Sequence, residues 1–290
     1  MALRSSGVKA TAKSAHCERT SSRNSSNIAG SPDGCHSPNV VSLFGRIDAL
    51  SAELVRRYRD GEARHEAGLQ DYAFLVAGLL DLYEATFETR WLERALELTE
   101  RQIELFRDPD GGFFDTPGTD ETLLTRTKED YDGAEPTGNA VSAMNLLRLG
   151  TMLDRDDLSG LGAGCVRSFG ARLNTMPDAT VQMLCALLRL EATPMEIVLV
   201  GTVDSAETSA MRAVVTERYL PHATILQVDD GTSRDFFQGR NSFIGSLPAA
   251  GAHTTAYVCE QYACQAPVAY PSALRELLAG RTHPSRTTTP

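Results

Sequence analysis

The strongest constraint on this chain is an alternation between helical segments that are apolar all round and helical segments that are apolar on one side only. Asp71 to Phe87 carries Tyr72, Phe74, Leu75, Val76, Leu79, Leu80, Leu82 and Tyr83 on nearly every face, whereas Trp91 to Phe106 gathers Glu93, Arg94, Glu97, Glu100, Arg101 and Glu104 on one polar side. The first kind of helix must be enclosed by protein and the second lies outside it. The alternation recurs: Asn139 to Leu153 is mostly apolar, Asp157 to Leu173 is weaker and bears glycine, and Asp178 to Leu190 is apolar again. This predicts helical hairpins, inner then outer, recurring about every 50 residues with their loops. Closed on itself, such an array is an (α/α) toroid whose inner helices start at one rim. The loops before Asp71, Asn139 and Asp178 then converge on one mouth, to which Asp108-Pro109-Asp110-Gly111-Gly112-Phe113-Phe114-Asp115 leads back.

The rest of the chain divides around this array. Residues 1–40 are Ser-rich and acid-poor without a core-forming period, and are expected to be disordered, as a transit peptide or a misplaced start. The hairpin region is expected over 41–194, beginning with a helical pattern from Val41 to Arg59 and a polar loop from Gly61 to Leu69. At Met195 the pattern changes. Glu196 to Gly201 reads as a buried strand, Glu207 to Tyr219 as a helix, Thr224 to Val228 and Thr254 to Cys259 as further strands, and Pro271 to Leu278 as a closing helix. This gives a small α/β subdomain over 195–280, followed by a disordered Thr- and Pro-rich tail over 281–290. The fold class is therefore mostly α, a partial six-hairpin-type toroid with a small α/β subdomain near the C-terminus.

Composition excludes several function classes. The formal net charge is −10 and the isoelectric point near 5.1, which disfavours a nucleic-acid partner because phosphate binding needs clustered Lys and Arg. No apolar run approaches the ~20 residues of a membrane span, and no secretory leader is evident, so a cytoplasmic location is expected. Six cysteines at irregular spacing do not form a disulfide framework, and most are read as free thiols. Cys165 and Cys185 lie in apolar patterns and are read as core residues. Cys259 and Cys264 fit neither a redox Cys-x-x-Cys nor a zinc site; packing of the last strand is the first reading and a reversible disulfide the second. His222 and His253 show no paired base. Nothing specifies a metal, and the cofactor is undetermined.

The most polar run before an inner helix is Lys128-Glu129-Asp130-Tyr131-Asp132-Gly133-Ala134-Glu135-Pro136-Thr137-Gly138-Asn139. Carboxylates at a helix start are stabilised by unpaired backbone N–H groups and the helix dipole, so the run serves a helix start in any reading. Together with Tyr58-Arg-Asp-Gly-Glu-Ala-Arg-His65, Leu69-Gln-Asp-Tyr-Ala-Phe-Leu75 and Tyr257-Val-Cys-Glu-Gln-Tyr-Ala-Cys-Gln-Ala-Pro267, it resembles the C-terminal part of the spermatogenesis-associated protein 20 family, over about three quarters of the chain. Bacterial members of that family are described as thioredoxin-domain-containing proteins. The resemblance implies a helical part like the six-hairpin toroids of glycosidases and sugar epimerases. It also implies a thioredoxin-like domain and first hairpins that residues 1–40 do not supply, so a fragment is expected. Gln70 stands where the family has an acidic residue.

In such a toroid, acid/base chemistry on sugars uses carboxylates at the inner rim. The catalytic candidates are Asp71, Asp130, Asp132 and Glu135, with His65, Tyr72, Glu129, Tyr131 and Asn139 as binding neighbours. The competing reading makes Asp71 a helix cap, Asp130 and Asp132 turn residues with Gly133, and Thr137 or Asn139 a cap. The expected function is a carbohydrate-related catalytic or sugar-binding domain acting on a sugar or sugar derivative. The alternative is a non-catalytic scaffold associated with a thioredoxin-like domain, with a protein partner covering an open toroid edge. Carboxylates converging on a cavity favour the first, and carboxylates consumed by caps and ion pairs favour the second.

Overall fold

A computed structural model describes residues 54–59, 62–119, 123–249, 251, 253–261 and 263–279. Residues 1–53, 280–290 and the expectations placed on them lie outside the described residues. Among the described residues the protein is mostly α, about 54% helical. No helix among the described residues is long and apolar enough to cross a membrane.

Two N-terminal strands, β1 (Val55–Arg59) and β2 (Glu62–Glu66), pair antiparallel with Val55 opposite Glu66 and Arg59 opposite Glu62. This corrects the expected helix through Arg59 and the expected loop from Gly61. In the sequence, Asp60-Gly61 between alternating segments is a strong hairpin signal.

Helix α1 (Leu69–Thr86) is buried along Leu69, Tyr72, Ala73, Val76, Leu79, Leu80 and Tyr83, and Phe87 ends it in the left-handed conformation at φ 60°. A two-residue link leads into α2 (Thr89–Phe106), whose Trp91, Leu92, Ala95, Leu98 and Phe106 pack inward. At the centre lies α3 (Gly138–Leu153), which packs against α1, α4 (Asp156–Ser168) and α6 (Val181–Glu191). A short α5 (Gly170–Thr175) and a 3-10 turn at Pro177–Ala179 connect α4 to α6.

Polar groups stitch the helices where packing alone would leave them free to slide. The Asn145 side-chain amide donates to the Ala73 carbonyl at 2.8 Å, joining α3 to α1, and Gln102 donates to Ser142 Oγ at 3.1 Å, joining α2 to α3. At Gly150 the start of α4 comes so close that a Cβ would stand 2.9 Å from the Ser159 nitrogen. Helix α6 departs from the expected enclosed helix. Only Met183 and Ala186 are buried, whereas Val181 and Leu188 are 56% and 59% exposed, and Cys185 is exposed rather than in the core.

The α/β part follows the expected order. Strands β3 (Met195–Val200), β4 (Ala223–Val228), β5 (Thr255–Glu260) and β6 (Ala263–Cys264) form one sheet in the order β4-β3-β5-β6. The β3/β4 pair is parallel, and β3/β5 and β5/β6 are antiparallel. Helix α7 (Ala206–Thr216) connects β3 to β4, α8 (Thr232–Gln238) and α9 (Ser242–Ser246) lie between β4 and β5, and α10 (Pro271–Leu277) follows β6. Ile197, Leu199, Ala256 and Val258 face Met211, Val214 and Val215 of α7 and Leu274 of α10 in one core. The sheet also meets the hairpins: the Gln227 N–H donates to Tyr83 Oη at 3.4 Å and Arg189 donates to Thr224 Oγ1 at 3.0 Å. The described residues fall within one compact unit.

Cys259 and Cys264, for which strand packing is the first reading and a disulfide the second, are joined by a disulfide across β5 and β6. The sequence spacing of five did not show that the intervening residues make a tight hairpin that sets the two cysteines directly opposite each other.

Candidate functional site

The three helix starts do share one rim. Gln70 of α1 donates to Glu135 Oε2 at 2.9 Å, and Asp132 ahead of α3 accepts from the backbone nitrogen of Gln182 in α6 at 2.8 Å. The 107–115 loop also reaches it, with Leu69 N–H donating to the Asp115 carbonyl at 3.0 Å.

Each candidate carboxylate at this rim has a structural partner. Asp71 accepts from the Gly68 N–H at 2.9 Å and so closes the first turn of α1, satisfying a backbone donor that the helix leaves unpaired. Asp132 accepts from two backbone nitrogens, Thr137 through Oδ1 and Gln182 through Oδ2, both at 2.8 Å, so one carboxylate fixes the approach to α3 and the start of α6. Thr137 then caps α3 through the Ala140 N–H at 3.1 Å. Asp130 pairs with Arg172 of α5 at 3.1 Å, and Glu135 holds Gln70.

The binding candidates separate more widely. Asn139 is fully buried: its Oδ1 accepts from the Phe113 N–H at 2.8 Å, and its Nδ2 donates to the Phe113 carbonyl at 2.9 Å. It therefore pairs with a loop backbone as a neighbouring strand would, and does not face a ligand. Tyr72 is buried, stacked edge-on against Phe106 at 5.5 Å, with its hydroxyl accepting from the Leu54 N–H. Neither lines the mouth, because the period of 3.6 places both on the core side of their helices. His65, Glu129 and Tyr131 are exposed, Tyr131 by 53%.

Several residues that organise the rim are not among the nine candidates. Asp115 accepts from Thr127 Oγ1 at 2.9 Å and from the Glu129 N–H at 3.1 Å, which holds the acidic run in place. Lys128 bridges Asp108 at 2.5 Å and the Gly111 carbonyl at 2.6 Å, and its hydrogen bond holds the Asp108 carboxyl below the usual carboxylate range. The signal available was the Asp-Pro-Asp-Gly-Gly turn facing a lone lysine in an acidic run.

Two hollows among the described residues lie elsewhere. An open depression of about 650 Å³ is lined by Glu100, Glu104, Arg107, Arg155 and Asp157, on the α2 and α4 side. A smaller one of about 170 Å³ sits beneath the Asp108–Phe113 loop. Neither is lined by any of the nine candidates. Among the described residues no three His, Cys, Asp or Glu side chains gather as a metal site. In the α/β part the expectation of an unpaired His253 is corrected: its Nδ1 lies 3.0 Å from Glu207 Oε1, both half-exposed, and this hydrogen bond draws the Glu207 carboxyl below its ordinary value.

Hairpins packed through a central helix and joined to a mixed sheet define a mostly α protein with an α/β unit. No protein-family model matches the chain. The chain is 39% identical over 212 residues to human spermatogenesis-associated protein 20, and 38% identical over 212 residues to the mouse protein of that name. In each case the match takes in 72% of this chain and 27% of the relative. An uncharacterized protein of Caenorhabditis elegans is 32% identical over 222 residues, 75% of this chain and 29% of the relative. The chain belongs, over this matched part, to the spermatogenesis-associated protein 20-like family, and spans under a third of the length of these curated relatives.

Proposed function

We propose that this part of the family protein is a non-catalytic scaffold, an arc of an (α/α) toroid whose rim carboxylates hold helix starts in register. One observation carries the reading: Asp71 and Asp132 are committed to backbone N–H groups and Asp130 and Glu135 to side chains, while none of the four lines either of the two hollows among the described residues. General acid/base chemistry needs a carboxyl within reach of a bound substrate, held within a few tenths of an ångström of a productive geometry. A carboxylate that accepts two backbone donors leaves its helix starts unsatisfied if it turns to a ligand.

The toroid reading is supported by the shared rim of α1, α3 and α6 and by the exposed Val181 and Leu188, which offer an apolar surface to a further helix or a protein partner. The sheet supports the scaffold reading in its own way. Its β-α-β-α-α-β-β-α succession and β4-β3-β5-β6 order resemble a thioredoxin-type fold with one extra short helix between β4 and β5, and the β3–α7 turn, where a redox member carries Cys-x-x-Cys, reads Thr202-Val203-Asp204-Ser205.

A sugar-binding rim is the second reading, favoured by the exposed Tyr131 ring beside Asp130 and Glu129, a surface on which a sugar could stack. Calorimetric titration of the chain with neutral sugars, sugar phosphates and nucleotide sugars separates the two. The scaffold reading predicts no saturable heat. Saturable binding that Tyr131→Ala and Asp130→Asn abolish would overturn it in favour of the second.

A further inference from the structure

We propose that Cys259 and Cys264 form a thiol–disulfide exchange site that a dithiol reductant opens by attack at Cys264. Cys259 stands directly opposite Cys264, and the Gln265 N–H donates to the Val258 carbonyl at 3.0 Å in the adjoining pair. The two cysteines therefore occupy the non-hydrogen-bonded kind of antiparallel pair, in which side chains come closest and no ladder bond holds the two residues together. The bond closes a loop with a sequence separation of only 5, where a cross-link removes little freedom from the unfolded chain. Stapling the fold is thus a weak reason for the pair.

Access is one-sided. Cys264 is exposed on β6, a two-residue strand at the edge of the sheet, while Cys259 is 3% exposed within β5. An incoming thiolate therefore reaches Cys264 Sγ. The S–S bond breaks, Cys259 leaves with the electron pair and takes a proton from solvent, and a mixed disulfide links Cys264 to the partner. The partner's second thiolate attacks its own sulfur in that bond, and Cys264 leaves and is protonated. The hairpin gains two electrons and two protons, and the dithiol partner becomes a disulfide.

The fold is built to survive the reaction. On its other side β5 pairs with β3 along its whole length, from Met195 opposite Glu260 to Val200 opposite Thr255, and Ala256 is bridged to Val268. Opening the disulfide releases only Ala263 and Cys264 from the edge. Two further cysteines provide built-in controls. Cys185 is exposed, and Cys165 is buried, with burial pushing its thiol up to about 12.

The test incubates the full chain in native buffer with dithiothreitol, traps thiols with N-ethylmaleimide, and maps them after cleavage at Glu260, which separates the two cysteines. Expected is paired labelling of Cys259 and Cys264 at least about tenfold faster than labelling of Cys165, the reporter of unfolding. With oxidised glutathione, Cys259→Ser is expected to form a mixed disulfide at Cys264, whereas Cys264→Ser leaves Cys259 unmodified. Labelling of the pair only in step with Cys165 would overturn the proposal. So would two thiols free before any reductant is added, or preferential modification at Cys259.

Discussion

Replacing Asn139 by alanine tests whether a polar residue at the start of α3 is a ligand contact or a structural staple. Both Asn139 and Phe113 are buried, and the amide satisfies the N–H and the carbonyl of Phe113 at 2.8 and 2.9 Å. Truncation leaves one backbone donor and one acceptor without partners and away from water. Each costs about 1–3 kcal/mol, so a loss of about 4 kcal/mol is expected. For a unit of this size that corresponds to a fall of roughly 8–16 °C in Tm. Urea unfolding followed by circular dichroism measures the loss, and amide exchange at Phe113 localises it to the 107–115 loop. A loss below about 1 kcal/mol, within the range of ordinary surface substitutions, would refute the staple reasoning.

Two further perturbations probe the packing and the electrostatics. Gly150→Ala places a methyl group against Ser159 Oγ and 2.9 Å from the Ser159 nitrogen, so α4 must move; a loss of about 3 kcal/mol or more in urea unfolding is expected, against about 1 kcal/mol gained by an unhindered helical Gly→Ala. Burial first, and the charge of Asp154 second, raise the Glu196 carboxyl above its ordinary 4.5. A raised carboxyl costs stability above the unfolded value and nothing well below it, so Glu196→Gln is expected to stabilise the chain at pH 7 and to lose that advantage as pH falls below about 4.5. Urea midpoints of both proteins from pH 3.5 to 7 check the sign.

Much of the fold was legible because the hairpins and strands differ in period. The all-round apolarity of Asp71–Phe87 and Asn139–Leu153 marked α1 and α3, and the run from Ile197 to Val200 marked β3. Val181 and Leu188 show where this fails, since an apolar side chain reads the same whether or not a neighbour covers it. The N-terminal strand pair was not legible because Leu50, Leu54 and Val55 also fit a helical spacing, although the dipeptide Asp60-Gly61 is a hairpin signal in the sequence. At the rim, the sequence showed which carboxylates gather but not what they hold. Asp132 reaches Gln182, 50 residues away, and Asn139 reaches Phe113, 26 residues back, and no local pattern encodes either contact.

The scaffold account stands or falls on Asp132. Two hydrogen bonds from backbone N–H groups to one carboxylate, partly open to water, make Asp132→Ala about 3 kcal/mol and Asp132→Asn about 2 kcal/mol less stable than the parent chain. Urea unfolding of the three proteins at pH 7 is the measurement, with amide exchange at Thr137 and Gln182 read in parallel. The account predicts that ordered loss of stability, with protection lost at both amides. Variants as stable as the parent or more so, as expected when a carboxylate is held in place for chemistry at a cost to the fold, would contradict it.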